Sequence, residues 1–230
     1  MNASATIYSE LPSSGSPHHL PTRDMGSVAT PAPSFSHREE TGSRGVSDEG
    51  TALSFAVHAE TSADIPAREA LLDRAMGLKR RKKSSEKLRR GRRPSEGLAF
   101  VARDAAGTVV GTVRLWDVAM GESGGAALLL GPLAVCPSQK SAGIGSGLVR
   151  HAIAEARRLG HRAVLLVGDE PYYGRFGFSA EKTGKLAMPG PYEQHRFLAL
   201  ELCEGALDGA VGTLRAAGRK LKAGRTLLAA

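Results

Sequence analysis

Hydrophobic and polar positions begin to alternate at residues 53–58 (Leu-Ser-Phe-Ala-Val-His), a pattern that predicts a strand with one buried face. A helix should follow: Asp64 is placed to cap it, Pro66 suits its first turn, and Ala70, Leu71, Ala75 and Leu78 recur along one side. Residues 98–103 and 109–116 flank Asp104-Ala-Ala-Gly107 and read as a hairpin with a tight connection. Residues 126–135 make the next strand and run into a glycine-rich turn. Beyond it Leu148, Val149, Ala152, Ile153, Ala156 and Leu159 share one helical face, Arg150, Glu155, Arg157 and Arg158 the other, and Gly160 ends the helix. Residues 163–167 read as a buried strand, and residues 197–202 supply a last one.

The two ends of the chain lack this periodicity. Ser, Thr, Pro and Gly fill 24 of the first 50 positions, too little apolar surface to offset the entropy of ordering, so residues 1–50 are expected to be disordered. Met25 offers a second start within them. Residues 51–205 are expected to form the folded domain, and residues 206–230 a polar, partly helical tail.

Charge sharpens this division. The net charge is +8, yet residues 1–50 hold three Arg against six Asp or Glu, so the remainder carries +11. Ten basic residues against Glu86 crowd into residues 79–93, where a second helix is expected in the later half. The run lacks interleaved aromatics, so a solvated basic face accounts for it more simply than a nucleic-acid site. Cys136 and Cys203 make neither a metal-like pair nor a disulfide framework, and no metal is expected. Without a bilayer-length apolar segment or a secretory leader, the chain is expected to be soluble and cytoplasmic.

Candidate chemistry begins where the strand at 126–135 meets its turn. A strand, a glycine-rich turn and a helix together make an anion site, because the first helical N–H groups lack partners and the peptide dipoles point their positive end at the ligand. Gly143, Gly145 and Gly147 would allow close backbone approach, and Lys140 adds charge. The spacing excludes two nucleotide motifs. No Gly-Lys-Ser/Thr closes a Walker loop, and Leu148 stands where a dinucleotide fingerprint needs its third glycine. What remains is Lys140-x-x-Gly143-x-Gly145.

That motif resembles the Gln/Arg-x-x-Gly-x-Gly/Ala signature of the GCN5-related N-acetyltransferases (GNAT), with Lys140 in place of the usual Arg or Gln and Gln139 one residue early. A second segment, Pro171-Tyr-Tyr-Gly-Arg-Phe-Gly-Phe178, is similar to the family's tyrosine motif and puts Tyr173 at its tyrosine. The resemblance spans roughly residues 53–203 and is strongest to the bacterial YhbS-type branch. It implies an α/β fold with a mixed sheet, in which a central pair of parallel strands splays apart between flanking helices. It further implies acetyl-coenzyme A as co-substrate, bound by Leu133, Ala134 and Val135 on the splayed strand, by Lys140, Ser141, Ala142, Gly143, Ile144, Gly145 and Ser146 at the turn, and by Tyr173 near the sulfur.

The implied reaction is direct transfer of an acetyl group to a primary amine, on a small molecule or a protein. An amine with a reference pKa of about 10.4 must lose its proton to attack, and Tyr173, ordinarily protonated up to about pH 10, would protonate the departing thiolate. Asp117, Glu122, Asp169, Glu170 and His195 are candidate bases, none singled out, and Asp169 reads equally as a helix cap. Tyr172 reads as packing, and Cys136 as a small buried hydrophobe or, less simply, a nucleophile. A non-catalytic acyl-coenzyme A sensor and a nucleic-acid module built on residues 79–93 are the alternatives, and a homodimer is compatible with either class.

Overall fold

The computed structural model describes residues 55–121 and 125–221. The head expected to be disordered, Glu122, and the last nine residues of the tail lie outside the described residues.

The chain enters through strand β1 (Phe55–Ala59) and a 3₁₀ turn at Ser62–Asp64, then forms helix α1 (Ile65–Met76). Asp64 stands at the helix start, but its carboxylate turns back to accept the Thr61 N–H and hydroxyl, both at 2.9 Å, and pairs with Arg103. It therefore holds the preceding turn and not the helix. The inward face of α1 also departs from the expected one: Arg68, Leu71 and Leu72 are buried, whereas Ala70, Ala75 and Leu78 are exposed. The reason is electrostatic. Glu60 is buried between Arg68 and Arg114, and this pairing rotates Arg68 inward with Leu71 and Leu72. Burial pushes the Glu60 carboxyl up to about 7, with Arg68 pulling the other way.

The basic run folds as a 3₁₀ stretch, Leu78–Lys82, and a short helix α2 (Ser84–Arg89) whose Leu88 is buried. Strands β2 (Ala99–Asp104) and β3 (Val109–Met120) form the expected hairpin, where the Asp104 carboxylate accepts the N–H groups of Ala106 and Thr108 at 3.1 and 2.9 Å. Strand β4 (Gly125–Val135), helix α3 (Ile144–Arg158) and strand β5 (Ala163–Val167) follow as the pattern predicts. Leu159, expected inward, lies at the C-cap and is exposed. The rest comprises the single turn α4 (Glu170–Tyr173), β6 (Lys185–Ala187), β7 (Phe197–Glu201), β8 (Val211–Thr213) and β9 (Arg215–Ala216).

Among the described residues the main sheet has the order β1-β2-β3-β4-β5-β7, with β9 on the far end of β3, and only β4 and β5 pair in parallel within it. This is a mixed α/β fold. Helix α3 covers one face, burying Leu148, Val149 and Ala152 against Phe100, Val113, Leu128 and Val164. On the other face Leu88 of α2 joins Trp116, Leu129, Leu165 and Phe197, while Leu71 of α1 packs on Val101 and Val109. Consecutive residues of β4, β5 and β7 alternate between the two clusters, as strand geometry requires.

The described part of the tail is not helical. Strand β3 outruns β2 and leaves Val118 and Ala119 with a free edge, which β9 fills; β8 pairs with β6, and Leu214 is buried between them. Residues 211–216 alternate with period two, and that pattern fits a strand better than a helix.

Candidate active site

Two features open a cleft in the middle of the sheet. Strands β4 and β5 share only the register pairs Leu128↔Val164 and Leu129↔Leu165. Beyond them a bulge places Gly131 and Pro132 of β4 opposite the single Arg114, because Leu130 pairs with Leu115 and Leu133 with Val113. A bulge bends and twists the strand that carries it. The Trp116 indole N–H donates to the Gly131 carbonyl at 2.6 Å and fixes the bend. The Cys136 N–H donates to Val110 at 2.8 Å, so alternation along β4 turns the backbone groups of Leu133 and Val135 toward the open side and those of Ala134 toward β3.

At one end of this free edge lies the start of α3. Ser141 and Gly143 are left-handed, with φ of 72° and 76°, and swing the chain from strand to helix. The Gly147 N–H closes the first turn onto the Gly143 carbonyl at 2.9 Å, leaving the N–H groups of Ile144, Gly145 and Ser146 without helical acceptors. They border a cavity of about 500 Å³ with Val135, Gln139, Lys140, Ser141, Gly143, Tyr172 and Arg175. Arg175 donates to the Ser146 hydroxyl at 3.0 Å and lies 4.3 Å over the Tyr172 ring. Two cations, free helical N–H groups and a 15-residue helix suit this cavity to a multiply charged anion. Gly145 is needed there: a Cβ would stand 2.6 Å from the Tyr172 hydroxyl oxygen. Gly147 serves packing instead, since its Cβ would meet the Phe55 ring at 2.8 Å.

At the other end, a second cavity of about 510 Å³ opens between β4, β5 and the basic segment. Leu130, Gly131 and Leu133 of β4 border it with Val167, Tyr173, Tyr192 and Glu193, and Arg80, Lys83, Arg89 and Arg196 complete the wall. Tyr173 packs edge-on against Tyr172 and Phe178, with ring centroids at 4.9 and 6.0 Å. Its ring occupies the space beside Gly168, where a Cβ would lie 2.7 Å from Cδ2. Burial pushes the Tyr173 hydroxyl well above its ordinary range, and Tyr172 and Asp169 reinforce this. The hydroxyl therefore keeps its proton at neutral and mildly alkaline pH.

Of the residues expected at the site, Val135, Lys140, Ser141, Gly143, Ile144, Gly145 and Ser146 meet at the first cavity, and Leu133 and Tyr173 at the second. Ala134 is buried and Ala142 exposed in the turn; neither borders either of these two cavities. Sequence reasoning missed Arg175 and Tyr172 at the anion pocket, although both sit inside the motif that pointed to Tyr173. The basic run is the solvated face expected at Lys79, Arg81, Lys82, Lys83, Lys87, Arg90 and Arg93, all exposed, but not throughout. Arg80 and Arg89 are not solvated: their side chains are 11% and 9% exposed, Arg80 held by Glu69 and Asp73 and Arg89 by Glu86. Leu88 anchors α2 to the core and thereby turns Arg89 to the cavity wall.

The candidate bases do not gather. Asp117 lies within β3, where its carbonyl accepts from Ala217 and Gly218, and Asp169 pairs with Arg196 at 3.0 Å instead of capping α4. Glu170 and His195 are exposed. Cys136 borders neither cavity, and its Sγ lies 3.3 Å from the Ser138 hydroxyl. Among the described residues no helix is long and apolar enough to cross a membrane.

A sheet parted by a bulge, with a helix start suited to an anion at one end of the gap and a half-buried tyrosine at the other, agrees with the acyltransferase class to which the two motifs pointed. The acetyltransferase (GNAT) family model matches residues 66–178, and over them the chain is similar to that family. It is 29% identical over 156 residues to the uncharacterized N-acetyltransferase YhbS of Escherichia coli (strain K12), covering 68% of this chain and 92% of that protein. A shorter stretch of 71 residues, 30% of this chain, is 37% identical to the uncharacterized N-acetyltransferase YjhQ of the same strain and covers 39% of it. The crystal structure of Escherichia coli YhbS in complex with CoA superposes with a TM-score of 0.61 at 27% identity, covering 72% of this chain and 91% of that one.

Proposed function

We propose that this protein is an acetyl-coenzyme A-dependent N-acetyltransferase that moves the acetyl group directly to a primary amine. The observation that carries the reading is the continuity of one edge: the unpaired backbone of β4 runs from the anion pocket at α3 to the cavity where Tyr173 lies. The residues present fit the ligand. The N–H groups of Ile144, Gly145 and Ser146, with Lys140 and Arg175, suit the diphosphate; the free backbone of Leu133 and Val135 suits an amide-bearing arm. The crystal structure of the YhbS relative with CoA supports the same assignment.

In this reading the amine nitrogen bonds to the thioester carbonyl carbon, the carbon–sulfur bond breaks, and the thiolate takes a proton donated by Tyr173. Half-buried Tyr173 is a weaker acid than a thiol, whose ordinary value is about 8.5, so its donation must be coupled to the proton that the attacking nitrogen sheds. Positioning amine and thioester in one cavity supplies the remainder.

The test is binding and turnover on the full chain. Acetyl-coenzyme A should raise the Tm, and free thiol should accumulate when amines are added. Gly145→Glu, which sets bulk and negative charge at the helix start, should abolish the Tm rise while leaving the unliganded fold intact. A folded Gly145→Glu variant with an undiminished ligand response would remove the α3 pocket from the account.

A further inference from the structure

Cationic groups surround the cavity at Tyr173. Arg80, Lys83, Arg89 and Arg196 all border it, with Glu193 the one carboxylate among the described wall residues. Their partners differ in number. Arg80 is held by two carboxylates, Glu69 at 2.5 Å and Asp73 at 2.8 Å, and Arg196 by Asp169 at 3.0 Å and Glu193 at 3.5 Å. Among the described residues Arg89 has only Glu86, at 3.1 Å, although its side chain is 91% buried. Among the described residues the buried Nε atoms of both Arg89 and Arg196 find no hydrogen-bond partner.

Such an arrangement is costly as it stands. A buried donor without an acceptor forfeits the hydrogen bond that water gave it, and a guanidinium stays charged whatever its surroundings. Burial disfavours the cation at Arg89, and Glu86 offsets this only in part. A carboxylate offers two acceptor oxygens in the plane that a guanidinium fork presents, and at the cavity wall it would supply the charge that Glu86 alone does not balance. A second ammonium would do the reverse, and its repulsion from these cations would exclude polyamines.

We infer that the acetyl acceptor is a small amine that also carries a carboxylate, read by Arg89 with Arg196 on the wall of the Tyr173 cavity. This inference rests on the acetyltransferase reading and names its substrate class. About 510 Å³ is the volume of a small-molecule site, and the thioester end of the coenzyme must share it, so the acceptor is of amino-acid size. Arg89 acts as a specificity-determining residue. Glu86 positions it, and Leu88 fixes α2 against the core beneath it.

The experiment is thiol release from acetyl-coenzyme A with matched acceptors: a panel of α- and ω-amino acids, the methyl ester and decarboxylated amine of each, and spermidine. Free amino acids should exceed their esters and amines by about 100-fold or more in kcat/KM, because a site built around a buried polar group rejects ligands that leave it unpaired. Arg89→Gln should remove that preference mainly through KM while preserving the Tm rise with acetyl-coenzyme A. Arg89→Lys should restore part of it, and Arg196→Gln gives a second reading should Arg89→Gln misfold. Equal use of esters or amines, preferred use of spermidine, or no transfer to any amino acid while the coenzyme still raises the Tm would each overturn the inference and leave the transferase reading standing. Absence of any coenzyme response would defeat both.

Discussion

Tyr173 and Gly168 depend on each other. The ring of Tyr173 lies where a Gly168 side chain would be, so Gly168→Ala must push the ring off its position. A displacement of about 1 Å at a reacting group can cost roughly 100-fold in rate, and a loss of about 10- to 100-fold in turnover is the expected result. The coenzyme-induced Tm rise should persist, since Gly168 does not border the anion pocket. Steady-state kinetics alongside a thermal melt checks both halves; unchanged turnover would mean that the ring position is not critical. At this scale the sequence exposed the motif residues and concealed their partners. Lys140, Gly143, Gly145 and Tyr173 were legible because close backbone approach and a fixed spacing leave a signature. Arg89 was not, because it sits in a basic run and only the burial of Leu88 shows which way the run faces.

Elements were read well wherever burial alone decides them. The β2–β3 hairpin, β4, α3, β5 and β7 follow from periodicity, since β3, β4, β5 and β7 each divide their apolar residues between two clusters, β2 faces the core with alternate residues, and α3 turns one apolar face to a single cluster. Reading failed where polar pairing overrides apolar pattern, as in α1, and where a neighbouring edge recruits a weak segment, as in the tail. Both failures yield tests. The Thr61 N–H, helped by Arg103, holds the Asp64 carboxyl below its usual value despite burial. Its stabilisation is therefore complete above the unfolded value of about 3.9 and is lost as pH falls through the folded one. Asp64→Asn should cost about 1–2 kcal/mol at pH 7 in urea unfolding, with the gap to the unmodified protein closing below about pH 4. A gap independent of pH would show that the charge contributes nothing. In the tail, Leu214 is buried and its N–H donates to Ala187 at 2.8 Å. Leu214→Ala should lower stability by about 2–5 kcal/mol, whereas a dispensable tail would leave the urea midpoint unmoved.

Over the whole molecule, fold and charge serve one cleft. The β4 bulge parts the sheet, α3 offers its N-terminus at one end, and the excess positive charge of the folded region is partly spent on the cavity at the other. Amine attack at the thioester and departure of the thiolate beside Tyr173 are the centre of the account. The most direct measurement is turnover by Tyr173→Phe with acetyl-coenzyme A and acceptor both saturating, set against coenzyme affinity by titration calorimetry. The substitution removes one hydroxyl and little packing. Affinity should stay within a few-fold of the unmodified protein while turnover falls by about 100- to 10,000-fold, the range for a positioned proton donor. Turnover near that of the unmodified protein would contradict the account and assign the thiolate's proton to water.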